Sequence, residues 1–153
     1  MKIVRVDDRN FIIWRTQIAA LFNESAKINF PDYVIKDSYG KDKCEELSTY
    51  LKDGTAIVFA AVEKDKLEGW IWCHQISRMG QKRFHIAEVA VCSNCYKRGI
   101  GKLLLNEVEL YAKEHGFTEM DLLVTASNTG AIRFYEKDSF VTERFLMKKT
   151  LGF

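Results

Sequence analysis

The chain has 153 residues, 47% apolar and 29% charged, a make-up that fits one folded domain over residues 1–153 and excludes a disordered chain. Its formal charge of +2 is too near zero for a dedicated nucleic-acid binder. No apolar run approaches the roughly 20 residues that span a bilayer, so no membrane partner is expected. The opening MKIVRVDDRN turns polar too early for a signal peptide, and four cysteines are too few for a disulfide framework. A cytoplasmic chain with reduced thiols is the expectation.

Lys2 to Val6 alternates as a short strand, and Asn10 to Phe22 carries Ile13, Trp14, Ile18, Leu21 and Phe22 at helical spacing. Residues 23–40, around Pro31, read as loop or broken helix, and Lys41 to Lys52 as a second helix ending near Gly54. Three strands follow, at Ala56 to Val62, Leu67 to Ile76 and Phe84 to Cys92. Turns at Glu63 to Lys66 and Ser77 to Lys82 join them, and connections this short make an antiparallel meander. The order then becomes strand–helix–strand. Ile100, Leu103, Leu104, Val108, Tyr111 and Ala112 share a helical face, Gly116 closes the helix, and Glu119 to Thr125 is a strand able to pair in parallel with Phe84 to Cys92. A short helix from Asn128 to Lys137 and a last strand from Phe140 to Leu151 complete the order. The fold class is α/β in the α+β sense, a mixed and mostly antiparallel sheet flanked by helices.

The segment Val91-Cys92-Ser93-Asn94-Cys95-Tyr96-Lys97-Arg98-Gly99-Ile100-Gly101-Lys102 joins a strand to a helix through two glycines. A helix start leaves about four N–H groups without partners, and glycines let an anion approach them. Lys97, Arg98 and Lys102 add positive charge, so phosphate or pyrophosphate is the ligand indicated. The alternative is a solvated basic loop. Cys92-x-x-Cys95 raises zinc or redox chemistry, but no second close pair or histidine cluster completes a metal site, and a buried Cys92 with a loop Cys95 is the plainer reading.

With Asn128-Thr129-Gly130-Ala131-Ile132-Arg133-Phe134-Tyr135 and Phe140, this loop resembles the GNAT superfamily of acyl-CoA-dependent N-acetyltransferases over about residues 55–148. The family pattern is Arg/Gln-x-x-Gly-x-Gly/Ala, then Asn-x-x-Ala-x-x-Phe/Leu-Tyr-x-x-x-Gly-Phe. Tyr96 stands in place of the Arg or Gln, and Ser139 in place of the Gly. The resemblance implies acetyl-CoA as co-substrate, no metal, and a parallel strand pair splayed at the cofactor site. The backbones of Val89 and Val91 would hold the pantetheine arm, and the amides of Tyr96, Lys97, Arg98, Gly99, Ile100, Gly101 and Lys102 the pyrophosphate. Asn128 would contact the cofactor, and Tyr135 would protonate the departing thiolate or else pack as a helix aromatic. The acceptor would be a small-molecule or peptide amine. Glu88, which interrupts an apolar strand, is the candidate base, with solvent exposure as its alternative and His74 and His85 as weaker choices. Phe22, Glu24 and Tyr33 lie where the family lines its acceptor site, and His115 suits a helix C-terminus. A homodimer accords with family habit. A domain that binds acyl-CoA without chemistry is the other reading.

Overall fold

The computed structural model describes residues 1–152; Phe153, the end of the expected domain, lies outside them. The chain divides into two bodies, Met1–Leu123 and a second beginning at Val124, and each is described by itself.

The first body is a five-stranded sheet in the order β1-β2-β3-β4-β5 with three α-helices. The strands are β1 (Lys2–Val6), β2 (Ile57–Glu63), β3 (Lys66–Arg78), β4 (Gln81–Val91) and β5 (Met120–Leu122). The first four pair antiparallel, and β5 joins β4 in parallel. Both hairpins are tighter than the sequence suggests. Lys64 and Asp65 (φ 50° and 61°) turn one, and Met79 and Gly80 (φ 49° and 77°) the other.

Helix α1 runs Arg15–Asn29 behind a short 3₁₀ turn, α2 spans Tyr39–Lys52 and α3 spans Ile100–Glu114. Residues 23–29 were expected as loop or broken helix and are helical instead. Buried Phe22 and Ala26 extend the inward stripe by one turn before Pro31. Trp14, Ile18, Phe22, Leu47, Val58, Trp70 and Trp72 form the core on the α1–α2 side of the sheet, with Phe22 edge-on to Trp70 at 4.8 Å. On the other side, Phe84 stacks on Tyr111 of α3 at 5.5 Å.

In the second body, α4 covers Thr129–Lys137 and Asn128 caps it by accepting from the Ala131 N–H at 3.2 Å. Ser139 closes it at φ 68°, the left-handed conformation for which the family pattern carries glycine. The strand expected over Phe140 to Leu151 does not form among the described residues. A strand exists through its ladder, and here Val141, Phe145, Leu146, Met147 and Leu151 are exposed with no strand partner recorded.

Candidate active site at the end of the fourth strand

Two one-residue register shifts shape the site. On β3, Ala61 faces Gly69 but Val62 faces Leu67, so Glu68 is the extra residue. On β4, Trp72 faces Glu88 but Cys73 faces Ile86, so Ala87 is the extra residue. Without that second bulge, Ile86 and Glu88 would lie on the same face. With it, Ile86 is buried with Cys73 on the α3 side, and Glu88 turns to the α1–α2 side beside Trp72.

Glu88 is half-buried there. The Ser25 hydroxyl on α1 donates to Glu88 Oε1 at 2.6 Å, and Asn29 Nδ2 donates to Ser25 Oγ at 3.2 Å. Burial pushes the Glu88 carboxyl up to about 7, against the opposing pull of the Ser25 hydrogen bond and Lys43. A carboxyl poised near neutrality can accept a proton from an amine and release it to water. The alternative, a carboxylate simply facing solvent, does not fit this environment.

Beyond Glu88, β4 keeps one strand neighbour. Its ladder with β5 ends at Ile86–Leu122, whereas Val89 and Val91 go on pairing with Ile71 and Gly69 of β3. The parallel pair thus covers only Phe84 to Ile86, and Val89 and Val91 have no β5 partner in the ladder.

The loop after β4 is tied down from below. The Cys92 N–H donates to the Glu68 carbonyl at 2.9 Å, and the Cys92 thiol donates to the Leu67 carbonyl at 3.3 Å. The buried Cys95 thiol donates to the equally buried Glu68 carboxylate, which holds that thiol above its ordinary pKa. The bulge therefore aims Glu68 at the loop, and the Cys-x-x-Cys pair serves as two anchored thiols. Arg98 donates to Glu63 Oε2 at 2.7 Å, and its guanidinium also approaches Cys95 Sγ at 3.6 Å. The Arg98 charge is paired with Glu63 at the surface.

The helix start has the features an anion site needs. Gly99 caps α3 at φ 76° with no side-chain cap, and a Cβ there would meet nothing within 4 Å. Open space thus surrounds the Gly99 Cβ position at the start of a 15-residue helix, whose first N–H groups have no intrahelical partners. Gly69 makes the seat for this start, since a Cβ on it would come within 3.0 Å of Ile100 Cγ2 and 3.2 Å of Val91 Cγ2. Lys97 takes φ 65° just before the cap, and Tyr96 is exposed. These residues would hold the pyrophosphate of an acyl-CoA by backbone donation, the contact least sensitive to Tyr96 replacing Arg or Gln.

A family model described as the acetyltransferase (GNAT) family matches residues 17–140. The chain belongs to the GNAT acetyltransferase family. Solved structures agree in fold. An aminoglycoside acetyltransferase from an uncultured soil metagenomic sample, in complex with trehalose, has 22% identity and a TM-score of 0.74 over 99% of this chain and 95% of its own. A single-site mutant of the BH1408 protein from Bacillus halodurans reaches a TM-score of 0.84 at 17% identity, covering 99% of this chain and all (100%) of its own. A putative acetyl transferase from Pyrococcus furiosus has 25% identity and a TM-score of 0.77 over 98% of this chain and 100% of its own. A search of curated proteins returned no match.

The other sequence-derived site residues of this GNAT acetyltransferase fall as follows. Phe22 is 1% exposed and belongs to the core against Trp70, a correction to its substrate-lining role. Glu24 is exposed, and so is Tyr33, which meets Phe30 edge-on at 5.8 Å. Asn128 and Tyr135 lie in the second body. The Tyr135 ring there meets Phe134 at 5.3 Å and Phe140 at 5.5 Å. His85 Nδ1 sits 2.7 Å from Asp121 Oδ1, while Arg78 Nε and Arg83 Nη1 reach Asp121 Oδ2 at 2.5 and 3.4 Å. His85 is thereby committed to an ion cluster that fastens β5. His115 Nδ1 lies 2.8 Å from the Tyr111 carbonyl at the end of α3, as its position suggested. Sequence reasoning missed Ser25 and Glu68. A serine within a helix and a glutamate within a strand carry no motif. Among the described residues, no helix is long and apolar enough to cross a membrane.

Proposed function

We propose that this GNAT protein transfers an acetyl group from acetyl-CoA to a primary amine of a small molecule or peptide. The observation that carries the reading is three features in succession along β4 and the loop that follows it. Glu88 is half-buried under Ser25, the β4 edge lacks a β5 partner at Val89 and Val91, and a bare left-handed cap opens α3. Acetyl-CoA supplies an acetyl group already activated as a thioester. The amides from Tyr96 to Lys102 hold its diphosphate, and the β4 edge at Val89 and Val91 holds its pantetheine arm. Glu88 takes the proton that the amine loses. Asn128 and Tyr135 take the roles the family pattern gives them, a cofactor contact and the acid for the leaving thiolate. A phenol with an ordinary pKa near 10 matches a thiolate in basicity. The aminoglycoside acetyltransferase among the structural neighbours supports a small polar amine as acceptor.

The test is thiol release from acetyl-CoA with sisomicin, spermidine and a lysine-bearing peptide as acceptors, with products identified by mass spectrometry. Acetylated amine from at least one acceptor is expected. Acetyl-CoA binding with no thiol release from any of them would replace the enzyme by a sensing domain.

A further inference from the structure

Ser25 and Asn29 are four residues apart on α1, so their side chains share a helix face. Asn29 Nδ2 donates to Ser25 Oγ at 3.2 Å. A serine hydroxyl has one hydrogen, and with Asn29 on its lone pair that hydrogen goes to Glu88 Oε1, 2.6 Å away. The β4 bulge completes the arrangement by turning Glu88 toward α1.

We propose that Ser25 is a positioning residue for Glu88, with Asn29 fixing its hydroxyl as a donor to Oε1 so that Oε2 takes the proton of the acceptor amine. This rests on the reading of Glu88 as the base. In the step, the N–H bond of the amine breaks, its electron pair stays on nitrogen, and the proton forms a bond to Oε2. Oε1 remains a hydrogen-bond acceptor throughout, so Ser25 need not turn during the cycle. The surrounding charges come from α2, where Lys43 favours the ionised carboxyl and the Tyr39 phenol, held above its usual pKa mainly by burial, also interacts with Glu88. From β3 the facing residue is Trp72, which does not titrate.

The experiment is carbon-13 NMR of the full chain labelled at its glutamate carboxyls, with the Glu88 signal identified as the one lost in Glu88→Gln. Ser25→Ala should raise the Glu88 midpoint by about one pH unit, the worth of one charge-assisted hydrogen bond. Ser25→Thr, which keeps the hydroxyl, should restore the wild-type midpoint, and Asn29→Leu should fall between. The acidic limb of the acetyl-transfer rate, measured with the fastest amine of the panel, should move with the midpoint in each variant. An unmoved midpoint in Ser25→Ala overturns the role of Ser25 alone. A midpoint that moves while the rate limb stays overturns Glu88 as the base, and Ser25's part in catalysis with it.

Discussion

Replacing Glu88 by Gln should move activity and stability in opposite directions. Burial drives the Glu88 carboxyl from its ordinary 4.5 to about 7. The folded pKa is thus raised above the unfolded one. Below pH 4.5 the group is neutral in both states and weakens nothing. As pH rises toward 7 the unfolded chain ionises first, and stability falls through that window. Above it, the buried charge costs roughly 3 kcal/mol, or about 6–12 °C in Tm for a chain of this size. Glutamine keeps the shape and the acceptor for Ser25 but never ionises. Glu88→Gln should therefore match the wild type in Tm near pH 4.5 and exceed it by that margin at pH 8. Acetyl transfer should fall by about 10²–10⁴, the usual worth of a general base. Wild-type transfer should rise about tenfold between pH 6 and pH 8 as the carboxyl ionises. Thermal melts at the two pH values and a rate–pH profile check both halves. A Tm difference that is the same at both pH values would refute the buried-carboxyl reasoning, and retained activity would refute the base.

Asp121 accepts from Arg78, Arg83 and His85; burial pushes its carboxyl up, but the bonds from Arg78 and His85 outweigh it and hold the group below the usual range. Its stabilisation is present above pH 4 and lost as pH falls through the lowered value, so Asp121→Asn should reduce Tm at pH 7 and reduce it less near pH 3. An equal loss at both would show that its charge is not what fastens β5. Tyr135→Phe should lower turnover at least tenfold while leaving the acetyl-CoA Kd within twofold, as expected for a lost proton donor. Unchanged turnover removes Tyr135 from the mechanism.

The elements that repeat a period were legible in the sequence. Helix α3 shows most of its inward stripe and its closing Gly116, although Leu103 of the expected face is exposed and Leu105 is buried instead, α2 and α4 fall within two residues of expectation, and the β2–β3–β4 meander follows from its short connections. What escaped has no periodic signature. A bulge adds one residue and leaves composition untouched, so nothing in the run Ile86-Ala87-Glu88 announces that its first and last residues face opposite ways. Asn23, Ser25 and Asn29 have weak helix propensity and hid the last turn of α1, although two of them bear on the candidate base. Arg98 looked available to a phosphate because its partner Glu63 is 35 residues away. The apolar residues of 140–151 suggested a strand, but composition cannot supply the ladder.

Calorimetric titration with acetyl-CoA, comparing wild type with Gly99→Val, tests the account most directly. Valine at φ 76° strains the cap by about 1–2 kcal/mol and its Cβ meets no protein atom within 4 Å, so the variant should fold with a lower Tm. Its side chain would enter the open space beside Gly99, at the start of α3. The account predicts micromolar binding to the wild type and at least a hundredfold loss in the folded variant. Equal affinity in the two proteins, or no binding to the wild type, would contradict it.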